Sequence, residues 1–370
     1  MGCAIIGCGK SLPALAVEND ALTQLVDTSD EWITTRTGIK SRRIAVSETN
    51  VDLAEGAARA ALGWDEGGFS EGRIEAESID LIVYSTCTPD AMVPSCAALL
   101  RRRLGLENAA AFDINAACSG FVYGMSIVDG LMAACQAGAP GHAGRNKIHR
   151  ALVVGSERLT RITDWTDRAT CVLFGDGGGA AVVEWDDARP GVLSSYFVND
   201  DDDTNALTCP TAFDSPQPFD ASGVSKEAMK LPDQGNARID EELGVSELVA
   251  AGRPRQTLFM HGQKVFKFAA DAMGSAIDEV CRRANVPIDE VKCIVPHQAN
   301  ERIIKFAAKR CGLPLERFQV SIAERGNASS ACVPMALSDA LESGRVKRGD
   351  KVILVAFGGG FTSGAVLLEL

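Results

Sequence analysis

The sequence predicts an α/β fold made of two similar halves, and three observations support this fold class. Runs of consecutive apolar residues, such as 79–85 and 151–155, are typical of strands that are covered on both faces of a sheet. Amphipathic stretches that alternate with these runs are typical of helices. A strand, a turn of small residues, a helix and a second strand occur in this order around Cys118 and again around Asn327. This repetition indicates duplication and predicts a covered parallel or mixed sheet.

Length and composition predict two units and a connecting segment. A chain of 370 residues is longer than one small core supports. We expect an N-terminal half at residues 1–185, a linker with an insertion at residues 186–255 and a C-terminal half at residues 256–370. The connecting segment contains the acidic run Asp200–Asp203 and scattered Pro, Gly and Ser, which are typical of a solvated loop.

Composition also restricts the function classes. Hydrophobic residues form 46% of the chain and the mean hydropathy is +0.03, as in a compact globule. We expect no apolar run long enough to span a membrane, and we expect a cytoplasmic protein because Met1–Gly7 resembles a first strand more than an export signal. The net charge of −12 argues against nucleic-acid binding. The twelve cysteines are mostly single, which predicts reduced thiols and neither disulfides nor a metal site.

Apolar periodicity predicts the elements of the first half. Ser29 or Asp30 is expected to begin a helical turn, because short polar side chains cap helix N-termini. Two short apolar runs around a glycine turn are expected within Cys171–Val183. The remaining predicted elements alternate between strands and helices: a strand at 1–7, helices at 19–26 and 51–62, a strand at 79–85, a helix at 94–104, a strand at 111–114, a helix at 121–136 and a strand at 151–155.

The second half repeats this alternation. Its predicted elements are a helix at 261–284, a strand at 291–295, a helix at 301–311, a strand at 318–322, a helix at 331–343 and a strand at 351–357.

Cys118 is the first candidate for chemistry. It lies in a run of small residues between an apolar strand and an amphipathic helix. Unpaired backbone N–H groups and the helix dipole at such a position lower the pKa of a thiol and make it a nucleophile. A buried structural cysteine is the alternative for any single cysteine.

Three later positions favour the catalytic interpretation. His297, Asn327 and Gly358–Gly360 also follow predicted strands, and ligand sites of α/β sheets gather at the carboxyl ends of strands. A thiolate can accept an acyl group from a thioester, and His and Asn side chains can donate hydrogen bonds to an enolate oxygen. Backbone N–H groups of the cysteine and of the glycine run can stabilise a second oxyanion.

A tryptophan beside several arginines marks a second candidate site. Thr28–Arg43 contains Trp32, Arg36 and further basic residues. A Trp and an Arg can enclose a nucleotide base. A solvated turn remains the alternative interpretation.

Seven motifs together resemble one family. The chain is similar, from Ile5 to its C-terminus and excluding most of 186–255, to β-ketoacyl-acyl-carrier-protein synthase III, the initiating condensing enzymes of type II fatty acid synthesis. The motifs that carry this resemblance are Asp27–Trp32 with Thr35–Ile39, Asp113–Phe121, Thr166–Arg168, Phe174–Gly177, Pro296–Asn300, Gly326–Asn327 and Phe357–Phe361.

The resemblance implies a fold, an activity and a catalytic set. The implied fold is the thiolase fold, a layered αβαβα sandwich of two duplicated α/β halves. The implied acyltransferase condenses an acyl-CoA primer with malonyl-acyl carrier protein, giving 3-oxoacyl-acyl carrier protein, CoA and CO2, with CoA thioesters as substrates and without a cofactor or metal. Cys118 corresponds to the acylated nucleophile, and His297 and Asn327 correspond to the decarboxylation pair. The N–H groups of Cys118 and Gly359 correspond to the oxyanion hole.

The resemblance also implies two binding surfaces. Trp32 and Arg168 match residues that enclose the CoA adenine, and the other positions that match CoA contacts are Thr28, Arg36, Gly262, Gln263, Phe266 and Ala299. Basic groups after His297 suit an acidic carrier protein in spite of the acidic total charge. The implied docking residues are Gln298, Ala299, Asn300, Glu301 and Arg302, extended by Lys267, Lys305, Lys309 and Arg310.

Val93 bears on the choice of primer. Within the family its position resembles a residue that crosses the interface of a homodimer and closes the partner's acyl tunnel. A Phe at this position restricts the tunnel to the shortest chains. Val is smaller, so we expect branched or medium acyl groups to enter.

Other activities are compatible with the same residues. Within the fold, a Cys–His–Asn set also serves alkylquinolone-type synthases, ketoacyl-CoA synthases and polyketide starter enzymes. Elongating synthases carry a second His where Asn327 stands, and degradative thiolases carry a second Cys where this chain has its last glycine run. From other classes, a cysteine hydrolase and a non-catalytic scaffold remain as alternatives.

Overall fold

The computed structural model describes residues 2–138, 147–202, 205–210, 219–220, 223–224, 241–250, 252–253 and 256–370. The sequence from 137 to 146 is rich in Gly, Ala and His and is expected to be a loop, and it lies almost wholly outside these residues. The strands are β1 Gly2–Ser11, β2 Leu15–Glu18, β3 Ser41–Ile44, β4 Gly68–Ser70, β5 Leu81–Ser85, β6 Ala110–Ile114, β7 Arg150–Arg158, β8 Asp176–Asp186, β9 Gly191–Asn199, β10 Leu207–Thr208, β11 Phe219–Asp220, β12 Gly223–Val224, β13 Phe259–Met260, β14 Val291–Pro296, β15 Lys351–Gly358 and β16 Thr362–Glu369.

Most predicted helices are present with slightly shifted ends. Ser29 caps the second of them, where its side chain accepts a hydrogen bond of 3.1 Å from the backbone N–H of Trp32. The helices are α1 Asn19–Leu22, α2 Asp30–Thr37, α3 Asn50–Ala61, α4 Cys96–Leu104, α5 Gly120–Gln136, α6 Arg168–Cys171, α7 Ser246–Ala250, α8 Gly262–Ala284, α9 Glu301–Arg310 and α10 Cys332–Glu342.

The four strands of the second sheet repeat the order of four neighbouring strands in the first sheet, β5-β7-β8-β1, which confirms the predicted duplication. The first sheet has the order β4-β1-β8-β7-β5-β6, and the second has the order β14-β15-β16-β9. In the first sheet β5 is parallel to β6 and β7, whereas β7–β8 and β8–β1 are antiparallel. The second sheet repeats this scheme, because β14 is parallel to β15 and the pairs β15–β16 and β16–β9 are antiparallel.

Five layers result from this arrangement and confirm the αβαβα sandwich. Helices α5 and α10 form the central layer, where Phe121 and Met125 of α5 and Val333 and Leu337 of α10 pack between the two sheets. Helices α3 and α4 cover the outer face of the first sheet. Helices α8 and α9 cover the outer face of the second sheet. Each central strand is therefore buried on both faces, which explains the continuous apolar runs.

The glycine turn predicted within Cys171–Val183 is wrong. Helix α6 ends at Cys171, and β8 runs without a turn through Gly177, Gly178 and Gly179. These glycines give room to neighbouring helices. A Cβ atom at Gly178 would lie 2.4 Å from the backbone oxygen of Leu53 in α3.

The strand predicted at 318–322 is also absent from the described structure. Phe318 forms an isolated parallel bridge with Ile294, and single-turn 3-10 helices lie on either side of it. Side-chain hydrogen bonds occupy the backbone N–H and C=O groups that a longer strand would use to pair with its neighbour. The Gln298 amide donates to the Gln319 carbonyl and accepts from the Ser321 N–H at 3.0 and 2.9 Å.

The connecting segment contains more regular structure than the sequence predicts. Strand β9 lies inside residues 186–255, yet it pairs with β16 along its length as the edge of the second sheet. It occupies the place that β1 has in the first sheet. The repeated unit of the second half therefore begins at Gly191, before the predicted start of that half at residue 256.

One helical segment is long and apolar enough to cross a membrane, contrary to the expectation from the sequence. Ala117–Gln136 has 20 residues and a mean hydropathy of 1.4, so its length and composition are sufficient to cross a membrane. The expectation that no run is long enough is therefore wrong. Half of the segment is buried, and α5 forms part of the central layer, where a core helix passes the same test.

We predict that Gly178→Ala destabilises the protein by about 2 kcal/mol or more, because the added methyl group meets the backbone of α3. Gly130→Ala is the matched control. Gly130 lies on α5 with open space at its Cβ position, and the same change should stabilise a helix by about 0.5–1 kcal/mol. Urea unfolding measures both values, and equal stability of the two variants would contradict the packing argument.

Candidate active site

The predicted catalytic residues line one cavity of about 1310 Å³. Cys118 follows β6, His297 follows β14, and Gly359 follows β15. Asn327 reaches the cavity from an isolated bridge with Phe174. Residues from both halves of the chain thus line one cavity, because the segments that carry them end on the same side of the molecule.

The backbone around Cys118 is tightly built. Cys118 lies in the single 3-10 turn Ala117–Ser119 that leads into α5, and Ala117 adopts a left-handed φ of +45°. The end of β15 presses against this turn. A Cβ atom at Gly358 would lie 2.7 Å from the backbone nitrogen of Cys118, so only glycine allows this approach.

The expected lowering of the Cys118 pKa is wrong. Burial raises the pKa of the thiol to about 12, and the charge of Glu157 adds to this effect. The Ser329 hydroxyl opposes it and lowers the pKa. Part of the Cys118 surface faces the cavity, but protein surrounds the residue and removes it from bulk water. The Cys118 side chain is therefore a neutral thiol near pH 7.

His297 is an uncharged imidazole in this site. It is 1% exposed, and burial lowers its pKa to about 3. Its backbone N–H donates to the Val355 carbonyl at 2.8 Å, and its ring meets Phe357 edge-on with 5.2 Å between centroids. A neutral imidazole can donate one hydrogen bond without carrying charge into the cavity.

Asn327 is oriented by its own turn. Its Oδ1 accepts hydrogen bonds from the Ser329 N–H at 2.8 Å and from the Cys332 thiol at 3.7 Å. Because the oxygen is engaged, the Nδ2 amide is available to donate into the cavity. The site thus combines a thiol with two neutral donor side chains.

Several cavity residues were not predicted from the sequence. Ser329 is the most notable, and its only sequence signal is a place in the small-residue run Ala328–Ala331 after Asn327. A second wall comes from the connecting segment and β13. Its residues share no motif, and they are Leu207, Thr208, Cys209, Pro210, Gln256, Leu258 and Met260.

Six of the eight predicted CoA positions line the same cavity: Trp32, Arg36, Gly262, Gln263, Phe266 and Ala299. The guanidinium carbons of Arg36 and Arg168 lie 4.5 and 4.8 Å from the centre of the Trp32 ring. Arg168 also donates to the Asp27 carbonyl at 2.7 Å, next to Thr28. An adenine between Trp32 and Arg168 therefore requires the Arg168 side chain to move from the ring.

The predicted docking residues differ in accessibility. Gln298 is 2% exposed and bonded within the core, which argues against its docking role. Glu301 forms an ion pair of 2.9 Å with Lys305, and Asn300 caps α9. Ala299 and Asn300 line the cavity mouth. The exposed cations of the set are Lys267, Arg302, Lys305, Lys309 and Arg310.

Val93 does not line the cavity of its own chain. It is 87% exposed, whereas its neighbour Met92 does contribute to the cavity wall. This outward position is compatible with the predicted contact to a partner subunit.

Comparisons with known proteins agree with this site. Residues 112–201 match the family described as 3-oxoacyl-[acyl-carrier-protein (ACP)] synthase III, and residues 281–370 match its C-terminal counterpart. The chain is 42% identical to the β-ketoacyl-[acyl-carrier-protein] synthase III of Clostridium beijerinckii, over 99% of this chain and 98% of that protein. It is 41% identical to that of Alkalilimnicola ehrlichii over 99% and 98%.

A solved structure gives the same result. The crystal structure of 3-oxoacyl-[acyl-carrier-protein] synthase III from Aquifex aeolicus shares 36% identity and covers 100% of both chains with a TM-score of 0.80. Fold and site thus define a thiolase-fold condensing enzyme, an acyltransferase. Within this class, the chain belongs to the β-ketoacyl-[acyl-carrier-protein] synthase III family.

We predict that His297 makes the fold sensitive to acid. Its pKa is about 3 when folded and about 6.5 when unfolded. The unfolded chain therefore binds a proton first as the pH falls. Stability is fully present above pH 6.5 and falls by about 1.4 kcal/mol for each pH unit below it, until the folded pKa is reached.

Urea unfolding of the native protein and of His297→Gln at pH 7 and pH 5 measures this effect. The native protein should lose about 2 kcal/mol more than the variant between the two values, since 1.5 units lie below 6.5. Parallel losses in both proteins would exclude a neutral buried His297.

Proposed function

We propose that the enzyme joins an acyl-CoA primer to malonyl-acyl carrier protein by decarboxylative Claisen condensation. The products are 3-oxoacyl-acyl carrier protein, CoA and CO2, and the reaction initiates fatty acid synthesis. The observation that carries this proposal is the meeting of Cys118, His297 and Asn327 in one cavity, within a chain of this family. No observation in the described residues favours a hydrolase or a scaffold.

In the first half-reaction Cys118 takes the acyl group. Its sulfur forms a bond to the thioester carbonyl, the bond to the CoA sulfur breaks, and the thiol proton leaves Cys118 for the CoA thiolate. The backbone N–H groups of Cys118 and Gly359 are the proposed donors to the tetrahedral oxyanion. The close approach of Gly358 to the Cys118 nitrogen supports this pairing of the two segments.

In the second half-reaction the malonyl group loses CO2. The bond to its carboxylate breaks and the electron pair becomes an enolate, which accepts hydrogen bonds from His297 Nε2 and Asn327 Nδ2. Neutral donors suit this step, because a charged donor such as an imidazolium would need far more solvation in the buried site. The enolate carbon then attacks the acyl carbonyl, the carbon–sulfur bond breaks, and the Cys118 thiolate takes a proton from water.

CoA and the carrier protein are proposed to use different surfaces. Trp32, Arg36 and Arg168 would hold the CoA nucleotide, and the cationic face of α9 would bind the acidic carrier protein. We propose that CoA thioesters are substrates and that no further cofactor takes part. All twelve cysteines are free thiols, which supports a reducing compartment such as the cytoplasm.

A homodimer is also part of the proposal. Strand β6 is the edge of the first sheet, and Phe112 on this strand is 38% exposed. An exposed edge strand with an aromatic side chain is a site for pairing with another strand. Val93 is 87% exposed in the single chain. Pairing at β6 would bring its side chain toward the partner's acyl tunnel, where it would have the predicted role in primer choice.

Radiolabelled acyl-CoA separates the two half-reactions. The native enzyme should retain a stable acyl group on Cys118, and Cys118→Ser should retain none. Asn327→Asp should still become labelled, but its release of CO2 from malonyl-acyl carrier protein should fall by about 10²–10³, because an acceptor replaces a donor beside the enolate. Equal losses of labelling and CO2 release would contradict the division of roles, and label in Cys118→Ser would exclude the nucleophile.

Charge reversal tests the docking surface. Arg302→Glu should lower kcat/KM for malonyl-acyl carrier protein on the order of tenfold at low ionic strength. Acyl-CoA labelling should fall by less, although Arg302 also lines the cavity beside Phe266. Lys292→Glu is the control, since it changes the total charge equally at the opposite end of β14. The loss should shrink as salt is added. An equal loss in the control variant would contradict local docking.

A further inference from the structure

Ser329 occupies a special place in the duplicated fold. It begins the 3-10 turn Ser329–Ala331 before α10, as Ala117 begins the turn before α5. Both residues have a left-handed φ, +48° and +45°. The second half therefore presents the same kind of turn to the cavity, with a hydroxyl at the position that in the first half carries only the methyl group of Ala117.

The Ser329 side chain is unsatisfied in the resting structure. The residue is 1% exposed and lines the cavity together with Cys118, but within the described part of the chain its hydroxyl has no hydrogen-bond partner of good geometry. Its backbone N–H is engaged with Asn327 Oδ1. A buried unpaired hydroxyl and a left-handed non-glycine backbone are both unfavourable, and such costs cluster at functional sites.

The neighbouring hydroxyl behaves differently. Ser330 occupies the position in its turn that Cys118 has in the first half, and it is fully buried. Two acceptors are within reach of its single hydroxyl proton: Glu157 Oε1 lies 2.8 Å and the Ser85 carbonyl oxygen lies 3.0 Å from Ser330 Oγ. Ser330 thus has hydrogen-bond partners inside the protein. The Ser329 hydroxyl has none among the described residues and lines the cavity together with Cys118.

We propose that Ser329 is a catalytic residue whose hydroxyl donates a hydrogen bond to the Cys118 sulfur when that sulfur becomes a thiolate. This inference rests on the proposed role of Cys118 as nucleophile. During acylation the Cys118 proton leaves for CoA, whereas Ser329 keeps its own proton throughout. The hydroxyl holds the sulfur as it attacks and again as the condensation step releases it.

Local electrostatics are consistent with this role. Burial and the carboxylate of Glu157 disfavour a thiolate and raise the pKa of Cys118, and the Ser329 hydroxyl is the side chain that lowers it. Hydrogen bonds to charged groups are stronger than those to neutral groups. The Ser329 hydroxyl therefore stabilises the thiolate of Cys118 more than it stabilises the neutral thiol.

Alkylation of Cys118 by iodoacetamide tests the proposal, because it reports thiolate formation without acyl-CoA, carrier protein or turnover. The rate for the Cys118 peptide is followed by mass spectrometry between pH 7 and pH 10. Ser329→Ala should slow alkylation about tenfold or more at each pH and shift the rise of the profile to higher pH. An unchanged profile would overturn the proposal.

Two further variants separate the hydroxyl from the backbone. Ser329→Gly relieves the left-handed φ and also lacks the hydroxyl, so it should show the same slow alkylation as Ser329→Ala. Recovery of the native rate in Ser329→Gly would assign the defect to backbone strain and overturn the proposal. Ser330→Ala removes the neighbouring hydroxyl and should alkylate within about threefold of the native rate. A loss as large as that of Ser329→Ala would also overturn it.

Acyl labelling and alkylation rates together separate the role of Ser329 from the proposed function. If the native enzyme does not retain radiolabelled acyl groups on Cys118, the proposed function fails whatever the alkylation rates are. If labelling occurs and the Ser329 variants alkylate like the native protein, only the role of Ser329 fails. Ser329→Cys supplies a weaker donor in nearly the same space and should give an intermediate alkylation rate at Cys118.

Discussion

Removal of the catalytic groups from water is the constraint on which this site depends. Burial keeps Cys118 as a neutral thiol and His297 as a neutral imidazole. The same enclosure strengthens each hydrogen bond to an oxyanion or enolate, because solvent no longer competes for it. The cost falls on the nucleophile, which must ionise where charge is disfavoured. A site of this kind therefore needs donors that act only on the charged intermediates. Asn327, Ser329 and Gly359 line the cavity and are the proposed donors.

The duplicated fold produces this enclosure. Two equivalent turns precede the central helices α5 and α10, and both helices are buried between the sheets. The glycines of β8 allow α3 and α10 to lie directly on the first sheet, and Gly358 allows β15 to touch the nucleophile turn. The two turns differ in their side chains. One carries the thiol of Cys118, and the other carries the hydroxyl of Ser329 and follows Asn327, and these residues line the same cavity.

The covered sheets could be predicted from continuous apolar runs, and Cys118, His297 and Asn327 could be singled out because they stand in short motifs. The structure brings these three residues to one cavity, and their catalytic roles stay a proposal. The pKa of Cys118 was predicted in the wrong direction because a helix N-terminus is visible in sequence, whereas enclosure by distant segments is not. Gln298 was expected to be a docking residue because the segment that begins with it resembles a carrier-protein contact region, but its amide donates to the Gln319 carbonyl. The glycines of β8 resembled a turn because the helices that require them are remote in the chain. Ser329 carried no signal beyond its place in a run of small residues.

The cavity walls come from segments that no motif links. The cavity of about 1310 Å³ is larger than a typical small-molecule pocket of about 300–1,000 Å³, and in the proposed function it would hold both CoA and the acyl chain. One wall comes from residues 207–210 and 256–260, and Arg253 ties this region to the first half through ion pairs with Asp164 and Asp167 at 2.9 and 3.0 Å. In the proposed dimer a further wall comes from the partner. These walls are separate from Cys118, His297 and Asn327, so under the proposed function a change in a wall would alter which acyl group fits without changing the three proposed catalytic residues.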